Sequence, residues 1–122
     1  MLRHRTYGTP IEDTVESFPN ELPIDAVGLW QIVNSLKRGF DLENSDLTKY
    51  VEKSVEALLK ASAVPVIGSA ADKCWYRARA FGGQQKEIIE QVLAYLRHLG
   101  RDPDVGDIWF ALPKFVEGAS EA

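Results

Sequence analysis

The sequence predicts an α+β domain in two layers, with two N-terminal antiparallel helices packed against a small three-stranded sheet. Three observations carry that reading. Apolar residues recur at helical spacing over roughly residues 23–38, 45–62 and 84–99. Short runs rich in β-branched and aromatic residues at 63–68, 73–81 and 108–112 read as strands. Glycines and prolines punctuate the joints between these segments. The predicted order is helix, helix, strand, strand, helix, strand, in a single domain over residues 23–115. A length of 122 residues suits one domain.

Residues 1–22 hold Gly8, Pro10 and Pro19 with little periodicity, so an extended N-terminal arm is expected, partly packed through Tyr7, Val15 and Phe18. Its Leu2-Arg3-His4-Arg5 start reads as a flexible basic tail. The first helix follows from Ala26, Leu29, Trp30, Val33 and Leu36, which share one stripe. Pro23 suits its first turn, Lys37 and Arg38 suit its last, and Gly39 suits a left-handed stop. Gly28 weakens the middle of this helix and implies a close approach by another backbone.

The second helix is capped by Ser45 or Asp46, with Leu47, Tyr50, Val51, Val55, Leu58, Leu59 and Ser62 on its buried stripe. The short link from Phe40 to Asn44 makes the two helices antiparallel neighbours.

In the first strand, at 63–68, Pro65 points to an edge or to the strand's first residues. Residues 70–81 fit either a strand or a helix. The strand is preferred, because its alternation places Lys73, Trp75, Arg77, Arg79 and Phe81 on one face and Cys74, Tyr76, Ala78 and Ala80 on the other. Ile88, Ile89, Val92, Leu93, Leu96 and Leu99 define the third helix, which Gly100 ends. After a turn-rich loop, Ile108–Leu112 forms the last strand, giving a strand–helix–strand crossover between parallel strands. Residues 116–122 are expected to be a flexible C-terminal tail.

Charge and cysteine content narrow the function classes. With Lys+Arg 14 against Asp+Glu 18, the chain lacks the basic face of a dedicated nucleic-acid binder. The excess lies C-terminally, where residues 101–122 carry 2 basic and 5 acidic groups. One cysteine, Cys74, excludes an internal disulfide framework. The basic start leads into no apolar run, so no signal peptide is expected, and no stretch is long enough to span a bilayer. A cytoplasmic location is the resulting expectation, with no nucleic acid and no membrane as partner.

The chemistry-bearing residues yield little. Asp102, Asp104 and Asp107 offer hard oxygen donors, but counting from Asp102 puts Asp107 at the glycine position of a calcium loop and Pro113 at the glutamate position. Turn capping by Asp102 and Asp104 and a strand start at Asp107 are expected instead, and no metal. A Cys74–His98 nucleophile pair lacks any surrounding signature. Gly82-Gly83 before a helix could hold an anion on its backbone N–H groups, but the glycines or lysine of a phosphate loop are missing.

The strongest candidate surface is Trp75, Arg77, Arg79 and Phe81, joined by Trp109 from the adjacent strand. Tryptophan and arginine are favoured in protein interfaces. Asp104 and Asp107 form a polar loop beside it. The expectation is a non-catalytic protein acting by protein–protein interaction, a regulatory or immunity-type inhibitor module, without cofactor. Its partner is another protein, a second copy of the chain included. The alternative is a small-molecule-binding protein or enzyme with a pocket between the helical pair and the sheet.

Overall fold

A computed structural model describes residues 2–69 and 74–117. Among them are four α-helices, α1 (Ile11–Ser17), α2 (Leu29–Phe40), α3 (Asn44–Lys60) and α4 (Gln85–Leu99). The strands are β1 (Val27–Gly28), β2 (Val64–Ser69), β3 (Cys74–Arg77), β4 (Trp109–Ala111) and β5 (Val116–Glu117), in the spatial order β1-β4-β2-β3-β5. The α+β class is the one predicted. The sheet is five-stranded and mixed rather than three-stranded, and a helix precedes the expected pair.

That helix lies in the segment expected to be an extended arm. Ile11, Val15, Phe18 and Leu22 stand at i, i+4, i+7 and i+11, and all are buried, Ile11 and Leu22 at 0% and 1% exposure. The start of the chain is also docked. Ile11 N–H donates to Leu2 O, Arg5 N–H to Gly39 O at 2.7 Å, and the His4 ring meets Phe40 edge-on at 5.4 Å.

The next correction is the start of the first predicted helix. Val27 and Gly28 are extended and pair antiparallel with Phe110 and Trp109, so α2 begins only at Leu29. Pairing with β4 overrides the helical spacing of Ala26. The Gly28 N–H is taken by Gln31 Oε1 at 2.7 Å, which blocks a donor on an edge strand. At its other end, α2 runs past Gly39 to Phe40 and stops on Asp41, whose φ of 57° is left-handed.

α3 starts slightly earlier than expected, with Glu43 preceding it and no side-chain cap. Its stripe is as expected except at Ser62, which lies beyond the helix and is exposed: Val51, Val55 and Leu58 are fully buried. Ser54 is buried among them, its hydroxyl donating to Tyr50 O at 2.7 Å. Together with Ile32, Leu36 and Phe110 these residues fill the layer between helices and sheet. α4 covers this core less completely, since only Val92 of its stripe is fully buried and Ile89, Leu93 and Leu96 are partly so.

β2 sits inside the sheet although it contains Pro65. The geometry removes the penalty. Ala78 N–H donates to Pro65 O at 3.1 Å, so both backbone groups of Pro65 face the point where β3 ends. The Ala78 carbonyl, which an N–H there would have met, accepts from Phe81 N at 2.9 Å instead. β3 and β4 both run antiparallel to β2, so they run parallel to each other and α4 carries the expected crossover, with β2 between them. Residues 74–77 are strand, not helix, and the question for 70–73 lies outside the described residues. Of the predicted tail, Val116 and Glu117 pair in parallel with Trp75 and Tyr76, while 118–122 lie outside the described residues.

Candidate functional site

All three tryptophans of the chain gather on the sheet face opposite the main core. Val66 pairs with Trp109, and Gly68 with Trp75, so both indoles rise from the same face on either side of β2. Gly68 makes this close approach feasible: a Cβ there would stand 2.1 Å from the Cys74 carbonyl oxygen and 3.2 Å from Cε3 of Trp75. Trp75 and Trp109 meet at 4.9 Å between centroids, and Trp30 approaches Trp109 edge-on at 6.4 Å. Trp109 Nε1 donates to Val105 O at 2.9 Å. Trp75 and Trp109 are each 6% exposed, with Ala26, Val66, Ala111 and Val116 packed around them.

The five residues expected to share one surface are thus distributed. Trp75 and Trp109 form a second apolar cluster. Arg77 is exposed on their face and makes no ion pair among the described residues. β3 ends at Arg77, so the alternation does not extend to Arg79 and Phe81. Arg79 is exposed, while Phe81 turns toward the helices and packs edge-on against Tyr95 at 5.7 Å. What emerges on the surface instead is a cross-strand pair, one member of which the alternation puts with the small residues: Ile67 opposite Tyr76, 50% and 51% exposed. By register they lie on the face of Phe110, beyond the cover of the helices. Their signal in the sequence is the alternation within β2, where Ile67 points away from Val66 and Gly68.

The acidic loop is tied down by its own last residue. Asp107 is 7% exposed and accepts from the Tyr95 hydroxyl, from Arg101 Nη1 at 2.9 Å, and from Asp104 N–H at 2.7 Å. Burial pushes its pKa up, but the hydrogen bonds from Arg101 and Tyr95 outweigh that and hold it at about 2. Burial, then the bond to Asp107, pushes the Tyr95 phenol up to about 12. Asp104 accepts from Gly106 N–H at 2.9 Å, the expected turn role, and Asp102 takes Lys37 Nζ at 3.0 Å. Arg101 pairs with both Asp104 and Asp107. Among the described residues no group of three or more His, Cys, Asp or Glu is placed to hold a metal ion.

Three smaller candidates resolve locally. Cys74 is half-buried in β3, and His98 is exposed on α4 with Nδ1 donating to Ala94 O at 2.8 Å. The Gly82 N–H is occupied by Gln91 Oε1 at 2.9 Å, so this amide is spent inside the protein rather than on an anion. A cleft of about 430 Å³ opens between α2 and the loop, lined by Trp30, Asn34 and Arg38 on one side and Asp102, Pro103 and Asp104 on the other. No described helix is long and apolar enough to cross a membrane.

The sequence matches no protein-family model, and comparison with curated proteins and with solved structures finds no match either.

Proposed function

We propose that this protein is a small, non-catalytic cytoplasmic module that binds another protein, of the regulatory or immunity-inhibitor kind. The observation that carries this reading is the Ile67–Tyr76 pair. Two large apolar side chains face each other across β2 and β3, each about half exposed, on the sheet face opposite to Trp75 and Arg77. An exposed apolar pair that includes tyrosine has the composition of an interface core. Trp75 and Trp109, the anchors expected from sequence, contribute from beneath by holding β3 rigid against β2.

The filled interlayer supports the same reading, since Ile32, Leu36, Val51, Val55, Leu58 and Phe110 occupy it. The strongly perturbed groups, Asp107 and Tyr95, are spent on each other and on Arg101. The test is affinity capture from the native host with wild-type bait and with an Ile67→Ala/Tyr76→Ala bait. A protein retained by the first and lost by the second supports the proposal. Equal retention by both baits overturns it. Sedimentation of the pure protein identifies the case in which the partner is a second copy.

A further inference from the structure

We propose that the cleft between α2 and the 102–105 loop binds a free amino acid with an apolar side chain, as a site separate from the protein-binding surface. Trp30, Asn34 and Arg38 stand at i, i+4 and i+8 on α2 and therefore form one row down its face. Val33 joins them, and Pro103 and Val105 close the opposite wall. The cleft volume of about 430 Å³ falls in the range of small-ligand sites.

The charges around this cleft are not balanced locally. Lys37 and Asp102 cancel, with both carboxylate oxygens 3.0 Å from Nζ. Arg101 serves two carboxylates. It engages both oxygens of Asp107 at 2.9 and 3.4 Å and reaches Asp104 only at 3.5 Å. Arg101, Asp104 and Asp107 together thus carry one net negative charge, with Asp104 the more exposed of the two carboxylates. Arg38, exposed on the helix wall, makes no ion pair among the described residues, which leaves one positive charge over. The cleft consequently presents one surplus cation, one surplus anion and an apolar floor. A zwitterion with an apolar side chain complements all three: its carboxylate meets Arg38 beside the Asn34 amide, its ammonium meets Asp104, and its side chain lies on Trp30 and Pro103.

The loop is also built to hold that shape. Val105 O is fixed by the Trp109 indole, Asp104 N–H by Asp107, and Asp104 Oδ1 by Gly106 N–H. A wall fixed before binding loses little freedom when a ligand arrives.

L-leucine, titrated into the intact protein and followed by the tryptophan indole NMR signals, tests the assignment. Three analogues each remove one feature: N-acetyl-L-leucine the ammonium, L-leucine methyl ester the carboxylate, and glycine the side chain. Saturable shifts with leucine are expected, weakened roughly tenfold or more for every analogue and for Arg38→Ala. Arg38 is exposed, so this variant keeps the wild-type melting temperature. Asp104→Asn should lose the preference for leucine over N-acetyl-L-leucine while Arg38→Ala loses the preference over the ester. No saturation with leucine up to about 50 mM, well above the range exposed charges support, overturns the proposal. So does equal binding of leucine and both charge-blocked analogues. Neither result bears on the Ile67–Tyr76 surface, whose variants leave this cleft untouched.

Discussion

The pyrrole edge of Trp30 lies directly over Gly28: a Cβ on that glycine would stand 2.6 Å from Cδ1 and 2.8 Å from Nε1 of the indole, and 3.2 Å from Cδ2 of Trp109. The close approach at Gly28 is therefore made by two aromatic side chains, not by a backbone. It seats Trp30 at the joint of β1 and α2, with Nε1 buried and without a hydrogen-bond partner among the described residues. Gly28→Ala forces the indole to move, and overpacking of this kind costs about 1–3 kcal/mol. A urea titration should show a lower midpoint and an unchanged slope. A midpoint equal to wild type would mean that Trp30 has another place to go.

This contact shows how far the sequence can be read. The α3 stripe, the Gly100 stop and the crossover helix follow from periodicity and caps, and the structure has all three. The helix α1 is legible in Ile11, Val15, Phe18 and Leu22, but the glycine, prolines and scattered acids around it read as loop. β1 is not legible, because two residues paired to β4 carry no local signature. The same limit governs the candidate site. Alternation places Trp75 and Trp109 on one face correctly, yet nothing local says whether water or a neighbouring strand covers that face. Asp107 reads locally as a strand start, whereas its partners Tyr95 and Arg101 come from α4 and the loop after it.

The difference between α3 and α4 gives the second prediction. Leu58 is fully buried, while Leu96 is only partly so. Leu58→Ala should cost about 2–5 kcal/mol, with Leu96→Ala near or below the lower end of that range. Equal midpoint shifts in guanidinium would mean that α4 packs more tightly than its exposure indicates.

Asp107 and Tyr95 bracket the stability of the protein at both ends of the pH scale. The carboxyl is held at about 2 against an ordinary 3.8, so its contribution is complete above about 4 and is lost as the pH falls through about 2. The phenol is pushed up to about 12 from 10.0, so its contribution is complete below about 10 and is lost as the pH rises through about 12. Asp107→Asn should lower stability at pH 7 by on the order of 2–3 kcal/mol, since charge-assisted bonds are lost. It should also flatten the acid limb of melting temperature against pH. A mutant limb as steep as wild type would assign the acid sensitivity to other carboxylates.

The last prediction separates the tryptophan cluster from the exposed pair on the opposite face of the sheet. Trp75 is 6% exposed, packed at a tilt against Trp109 and paired in sheet register with Val116 and Gly68. Trp75→Ala therefore empties a buried site, and truncations of that kind cost about 3–5 kcal/mol. Tyr76, about half exposed on the opposite face, has less to lose. Tyr76→Ala should change stability by no more than about 0.5 kcal/mol. Binding should show the reverse order once conditions keep the Trp75 variant folded. Tyr76→Ala then weakens binding of the captured partner by removing half of the exposed apolar pair, while the folded fraction of Trp75→Ala binds with near wild-type affinity. Paired denaturation and binding isotherms for the two variants read both quantities. If Trp75→Ala leaves the denaturation midpoint in place and abolishes binding, Trp75 is itself the anchor, and the burial of its indole beside Trp109 is not what the unbound protein maintains in solution.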